Sequence, residues 1–266
     1  MERKTICFLK KGMIMKSIVR LLVLFFFAGT GLYSQANDLE TLKNRFQTIF
    51  LAGQIQQWQP LVDSLRNEEL NLEKEEVLLY GEYGLIGYYL GYGDRKRARK
   101  ELDLYTEHVE RCLEKYPRNA TFLAFRAAVA GFSIWLSPLK ALYLGVENQH
   151  YIDKSLEFDK NEPMPLFEYG NSLFFRPALF GGDKDKAIKL YTQVISMYQN
   201  DDPANWMYYH VRTWMGQVYT RMGEKEKARN IYQNILKDVP NYQWVRDELL
   251  PDLDKDKKRF FILNLE

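Results

Sequence analysis

Between Trp214 and Asn241 the chain reads WMGQVYTRMGEKEKARNIYQNILKDVPN, and six of its residues fall at spacings that a closely crossed pair of helices requires. Gly216 and Ala228 are small where the two helices meet, and Tyr219 and Tyr232 supply the rings that fill the space beside them. The MGEKEKA segment, with Gly223, turns the chain between them. Pro240 ends the second helix, because proline lacks the amide donor and its ring clashes with the preceding turn. A helix pair of about 34 residues buries its apolar face only by stacking on like pairs. The rest of the chain therefore has to supply neighbours of the same kind.

It does so upstream. GGDKDKAIKLYTQVI, residues 181–195, repeats the turn and second helix with Gly182, Ala187 and Tyr191 in the roles of Gly223, Ala228 and Tyr232. LFEYGNSLFF supplies the first helix, with Gly170 as its close-packing glycine, and the residues around Pro177 form a lengthened connection between the two helices. GFSIWLSPLK from Gly131 and GNSLFFRPAL from Gly170 align position for position, pairing Gly131 with Gly170, Ser133 with Ser172, Trp135 with Phe174 and Pro138 with Pro177. Two successive units thus share one lengthened connection, which predicts duplication of a single unit and like environments for Gly131 and Gly170. Repeats are expected near 77–117, 119–161, 163–200 and 209–242, preceded by a divergent pair at 38–51 and 60–70 and closed by a capping helix at 244–250. The fold class is all-α, a right-handed solenoid of stacked antiparallel helix pairs, forming one domain over 36–266.

Residues 1–35 have a different character. Lys16 and Arg20 precede an unbroken apolar run, Leu21 to Ala28, followed by small residues and Tyr33-Ser34-Gln35-Ala36, the layout of a secretory signal peptide. The apolar run is shorter than the roughly 20 residues a bilayer span needs. Translation is expected to start at Met15, with cleavage after Ser34 or Ala36. The chain after cleavage is expected in the periplasm or secreted, with no membrane span.

Removing the leader reverses the charge balance. Residues 1–35 hold six basic residues and one acidic, so the remainder carries 31 basic and 34 acidic residues, a formal net charge of −3. A nucleic-acid partner, which needs a basic patch against its phosphates, is not expected; the Arg95–Lys100 cluster reads as a solvated helix face. Cys112 is the one cysteine left after cleavage and is assigned to the core beside Val109.

Catalytic and metal-binding patterns do not emerge. The three histidines, His108, His150 and His210, lie in separate predicted helices, with no His-x-x-x-His pair and no cysteine cluster of metal spacing. No phosphate-cradling Gly-rich loop occurs, and Gly81, Gly84, Gly87 and Gly91 are assigned to close helix packing. Carboxylate pairs such as Glu75 and Glu76 read as surface charge. No enzyme activity, cofactor or metal is expected.

The inner face of the stack carries the candidate site. The first helix of each pair lines the concave surface, which selects His210, Thr213, Gln217 and Thr220 in the last repeat, Met164, Phe167, Asn171 and Phe174 before it, and Phe125, Ala128, Phe132 and Trp135 before that. The predicted contact residues are Tyr80, Phe125, Trp135, Phe167, Asn171, Arg176, His210 and Gln217.

Taken together, the 181–195 and 214–251 stretches resemble tetratricopeptide-repeat proteins, in particular the exported ones common in Bacteroidetes, whose function is generally unassigned. RPALFGGDKDKA is also similar to the T-components of tripartite TRAP transporters, helical repeat lipoproteins thought to assist solute capture. The first resemblance implies a non-catalytic scaffold that binds a peptide or envelope protein on its concave face. The second implies a periplasmic small-solute-binding protein, with Trp135, Pro138, Phe174, Arg176 and Pro177 walling a pocket in which Arg176 pairs with an anionic group. A closed pocket beside Arg176 favours the solute, an open groove the partner protein.

Overall fold

The computed structural model describes residues 38–202 and 205–255; the leader and the apolar C-terminal segment 260–265 lie outside them. Two compact units divide the chain between Leu42 and Lys43, and of the first only residues 38–42, all helical, are described. The second unit holds the rest of the described chain.

Among the described residues every regular element is helical. The order is α1 (38–51), α2 (Trp58–Leu65), α3 (Leu72–Gly91), α4 (Arg95–Lys115), α5 (Ala120–Leu136), α6 (Ala141–Phe158), α7 (Pro163–Phe175), α8 (Lys184–Asp201), α9 (Met207–Arg221) and α10 (Lys225–Asp238). A π-helical turn, Trp244–Leu249, and the short α11 (Leu250–Asp254) close the stack. The α2 helix is shorter than the 60–70 expected from sequence, because the chain turns after Leu65.

Local sequence explains where the helices begin and end. Asn71, Asp94, Asn119 and Asp183 each accept a hydrogen bond from the backbone amide three residues on, so α3, α4, α5 and α8 open with a side-chain cap. Pro163 occupies the first position of α7, where its missing amide costs nothing. The α4 and α10 helices stop immediately before Pro117 and Pro240, since the residue before a proline is driven out of the helical region. Gly223, at φ 83°, makes the left-handed turn after α9 that other residues rarely adopt.

Helices α3 and α4, α5 and α6, α7 and α8, and α9 and α10 pack as consecutive pairs, and α5 also packs on α4 and α7. That position accounts for its sequence, ATFLAFRAAVAGFSIWL, which is apolar on nearly every side. The expectation of an all-α solenoid is met. Within the pairs α7/α8 and α9/α10 the close-packing glycines behave as their spacing predicts: a Cβ on Gly170 or Gly216 would collide with the ring of Tyr191 or Tyr232.

Gly131 departs from that pattern. A Cβ there would meet nothing within 4 Å, so the environments of Gly131 and Gly170 differ although their sequences align. The residue 21 positions after Gly170 is Tyr191, whereas the residue 21 positions after Gly131 is the smaller Ile152. The space over Gly131 stays open.

The two ends of the stack also meet. Phe50 at the end of α1 packs against Trp206 and Tyr242, with ring centroids 5.1 and 5.4 Å apart, and Lys43 pairs with Asp202 at 2.9 Å. Across the other side, the Tyr92 hydroxyl donates to Glu248 at 3.0 Å. Phe50, Trp206, Tyr92 and Glu248 all border one chamber, which stays partly open to solvent.

Candidate functional site

The chamber has a volume of about 1020 Å³. Helices α3, α5, α6, α7 and α9, the connection after Arg176 and the π-helical turn all contribute to its lining. Aromatic side chains dominate: Tyr83, Tyr88, Phe132, Trp135, Phe167, Phe175, Trp206, Trp214 and Trp244 all face it. Four of the chain's five tryptophans are therefore on its wall.

Of the residues selected from sequence, the structure brings Trp135, Phe167, Asn171, Arg176 and His210 to this chamber and places three elsewhere. Tyr80 and Phe125, 5% and 0% exposed, lie in the core with their rings 4.9 Å apart, and the Tyr80 hydroxyl is within 3.1 Å of that of Tyr198. Gln217 is buried within α9, off the cavity wall. The same holds for Thr213, Met164 and Phe174 on the predicted inner face, and Pro138 and Phe174 do not wall the pocket. Spacing alone does not separate the concave side of a first helix from the side that meets the next repeat, because a helix presents both within a single turn.

His210 sits at the centre of the aromatic wall. Its ring lies 5.2 Å from Trp206, 5.8 Å from Phe167 and 6.2 Å from Phe50, and stacks at 5.9 Å on Trp214. Burial among these rings pushes its pKa down to about 4, so the imidazole is neutral at physiological pH. A neutral imidazole keeps one nitrogen lone pair as an acceptor or metal ligand.

Arg176 brings a charge to the same lining. Its guanidinium donates to Gln149 Oε1 and to Ser172 Oγ, each at 2.6 Å. No carboxylate lies within salt-bridge distance of it among the described residues. The loop that presents it is fixed by Gly182, where a side chain would run into the Arg176 carbonyl. The result is a half-buried cation held by neutral groups beside an apolar chamber.

A polar relay crosses the floor. Tyr191 donates to Asn171 Oδ1 at 2.9 Å, Asn171 Nδ2 donates to Glu168 Oε1 at 3.0 Å, and the Tyr83 hydroxyl donates to the same oxygen at 2.9 Å. Burial raises the Glu168 carboxyl to about 7, against the opposing hydrogen bonds from Tyr83 and Asn171.

A second polar cluster lies between α3 and α4, off the cavity wall. His108 Nδ1 faces Glu82 Oε2 and Nε2 faces Glu75 Oε2, both at 2.7 Å, and Arg66 bonds Glu82 at 2.6 Å and Glu101 at 2.9 Å. Burial lowers the pKa of His108, but hydrogen bonding to Cys112 and Glu82 and the Glu82 charge raise it to about 10 overall. Glu75 and Glu76 are thus not the surface charges their sequence suggests. Glu75 closes this cluster, and Glu76 is half-buried, its carboxyl raised to about 7 by burial and by Glu162. Gly81 and Gly84 pack closely as expected, on Phe46 and Trp58, whereas Gly87 opens onto the chamber.

The family model for the tetratricopeptide repeat matches residues 211–242, the α9/α10 pair. The chain is a tetratricopeptide-like solenoid. Among solved structures, the HusA haemophore from Porphyromonas gingivalis resembles it with a TM-score of 0.50 and 18% sequence identity, over 70% of this chain and 93% of that one. No curated protein matches the chain.

Within this tetratricopeptide-like solenoid, two wall residues carried a sequence signal that the repeat spacing passed over. Trp206, His210 and Trp214 follow one another at four-residue intervals, a single stripe along one helix face. Trp244 and Phe50 carry no such signal, because they reach the chamber only through the closing of its ends.

Proposed function

We propose that the chain is an exported, non-catalytic carrier that encloses one large, planar, amphipathic small molecule of the tetrapyrrole class. The observation that carries this reading is the aromatic-walled chamber itself: at about 1020 Å³ it stands at the upper end of small-molecule sites, which run roughly 300–1,000 Å³. Its facing rings suit a flat conjugated ligand. Arg176 is placed to pair with a peripheral carboxylate, which follows the solute-pocket alternative of the two readings drawn from sequence. His210, neutral and with no side-chain hydrogen bond among the described residues, is the wall group able to bond a central iron. The haemophore likeness supports the ligand class.

Tryptophan fluorescence tests this reading directly, because four of the five indoles line the chamber. Haem and metal-free protoporphyrin titrated into the protein should each quench the emission saturably at one equivalent, and haem should shift its Soret band. Unsaturable or absent quenching by both would remove the proposal.

The exposed apolar rim favours a second reading, in which an envelope protein docks at the mouth. Leu139 from one lengthened connection, Leu142, Tyr143 and Val146 from the first turns of α6, and Leu179 and Phe180 from the other connection are exposed, with Leu142 and Leu179 each 88% exposed. Contiguous exposed side chains of this kind mark interaction sites. Crosslinking of the protein in its own host, compared with the variant Leu142→Asp/Leu179→Asp, should lose a specific adduct; an unchanged adduct pattern would rule the rim out.

A further inference from the structure

We infer that Glu75, His108 and Cys112 form a binding site for one divalent cation of borderline-soft character, such as Zn²⁺, between α3 and α4. Their ligand atoms lie within 4.8 Å of one another. A tetrahedral zinc with bonds of about 2.0–2.3 Å holds its ligand atoms roughly 3.3–3.8 Å apart, so closure takes about an ångström of side-chain movement. His108 and Cys112 are four residues apart on α4 and therefore share one face, and Glu75 reaches them from α3.

The surroundings are those of a metal-bound histidine. His108 Nε2 points at Glu75, while Nδ1 is held by Glu82 at 2.7 Å, the carboxylate–histidine arrangement that orients metal-ligating imidazoles and fixes their tautomer. Glu82 is in turn anchored by Arg66 at 2.6 Å, and Arg66 also holds Glu101. Tyr105 lies on the same α4 face, fully buried, and its hydroxyl has no hydrogen-bond partner among the described residues. Thiolate, imidazole and carboxylate together select zinc or a similar ion over magnesium or calcium, which favour oxygen ligands alone.

Glu75, with its side chain 21% exposed, provides the route in and leaves one position open for water.

The test uses the full chain carrying Cys7→Ser, so that Cys112 is the sole thiol. After chelator treatment, Co²⁺ should bind at one equivalent with a thiolate charge-transfer band in the near ultraviolet, and Zn²⁺ should displace it. Cys112→Ser should abolish the band, and Glu75→Gln should weaken binding at least tenfold. His210→Ala should leave both intact. Absence of stoichiometric uptake, survival of the band in Cys112→Ser, or its loss in His210→Ala overturns the inference. Alkylation of Cys112 needs no folded variant: Zn²⁺ should slow it at least tenfold, and an unchanged rate has the same overturning force.

Discussion

The ring of Tyr191 occupies the space where a side chain on Gly170 would stand, 2.6 Å from that Cβ position. The same place over Gly131 is empty and opens onto the chamber. One tyrosine therefore separates a repeat that packs shut from a repeat that stays open at the same place.

Alanine at these two glycines should act in opposite directions. Gly170→Ala forces Tyr191 aside and should destabilise the fold by about 1–3 kcal/mol. Gly131→Ala meets no neighbour and gains helix propensity, so stability should rise by up to about 1 kcal/mol, while ligand affinity falls because the chamber narrows. Urea unfolding of both variants beside the parent reads the first effect, and tetrapyrrole titration reads the second.

Stability should depend on pH through Glu168. The folded chain keeps this proton up to about 7, whereas the unfolded chain releases it near the ordinary carboxylate value of about 4.3. The contribution is complete below the unfolded value and is lost as pH rises through about 7. Glu168→Gln should flatten this decline and stabilise the protein above neutrality by roughly 1–3 kcal/mol. Part of the slope should remain, because Glu76 titrates in the same window. Thermal unfolding of parent and variant from pH 5 to pH 8 measures it.

Loss of the Arg176 cation should discriminate between ligands. A hydrogen bond to a charged group contributes about 1.5–3 kcal/mol, so Arg176→Ala should weaken binding of a dicarboxylic porphyrin roughly tenfold to a hundredfold. The dimethyl ester, which carries no such charge, should bind parent and variant alike. Equal losses for acid and ester would show that Arg176 shapes the loop and does not pair with the ligand.

His210→Ala separates iron from ring. If the imidazole bonds the metal, the variant should lose affinity for haem and alter its Soret band, while metal-free protoporphyrin binds as before. A parallel loss for both ligands would assign His210 to wall packing.

Local features of the chain determined its repeating architecture. Gly216, Ala228, Tyr232 and Pro240 act within one helix pair, and the caps Asn71, Asp94, Asn119 and Asp183 act within three residues of their partners. Such short-range effects are written in spacing. They also placed Trp135, Phe167, Asn171, Arg176 and His210 on elements that line the chamber. Tyr80, Phe125 and Gln217 have the same helical spacing yet point into the core, because which side of a helix is concave depends on how neighbouring pairs are rotated on one another. Tertiary structure alone decided the rest: the meeting of Phe50 with Trp206 and Tyr242, and of Glu75 with His108. These partners are brought together by the curvature of the whole stack or by the crossing of two helices, and no residue records those rotations in its own neighbourhood of the chain.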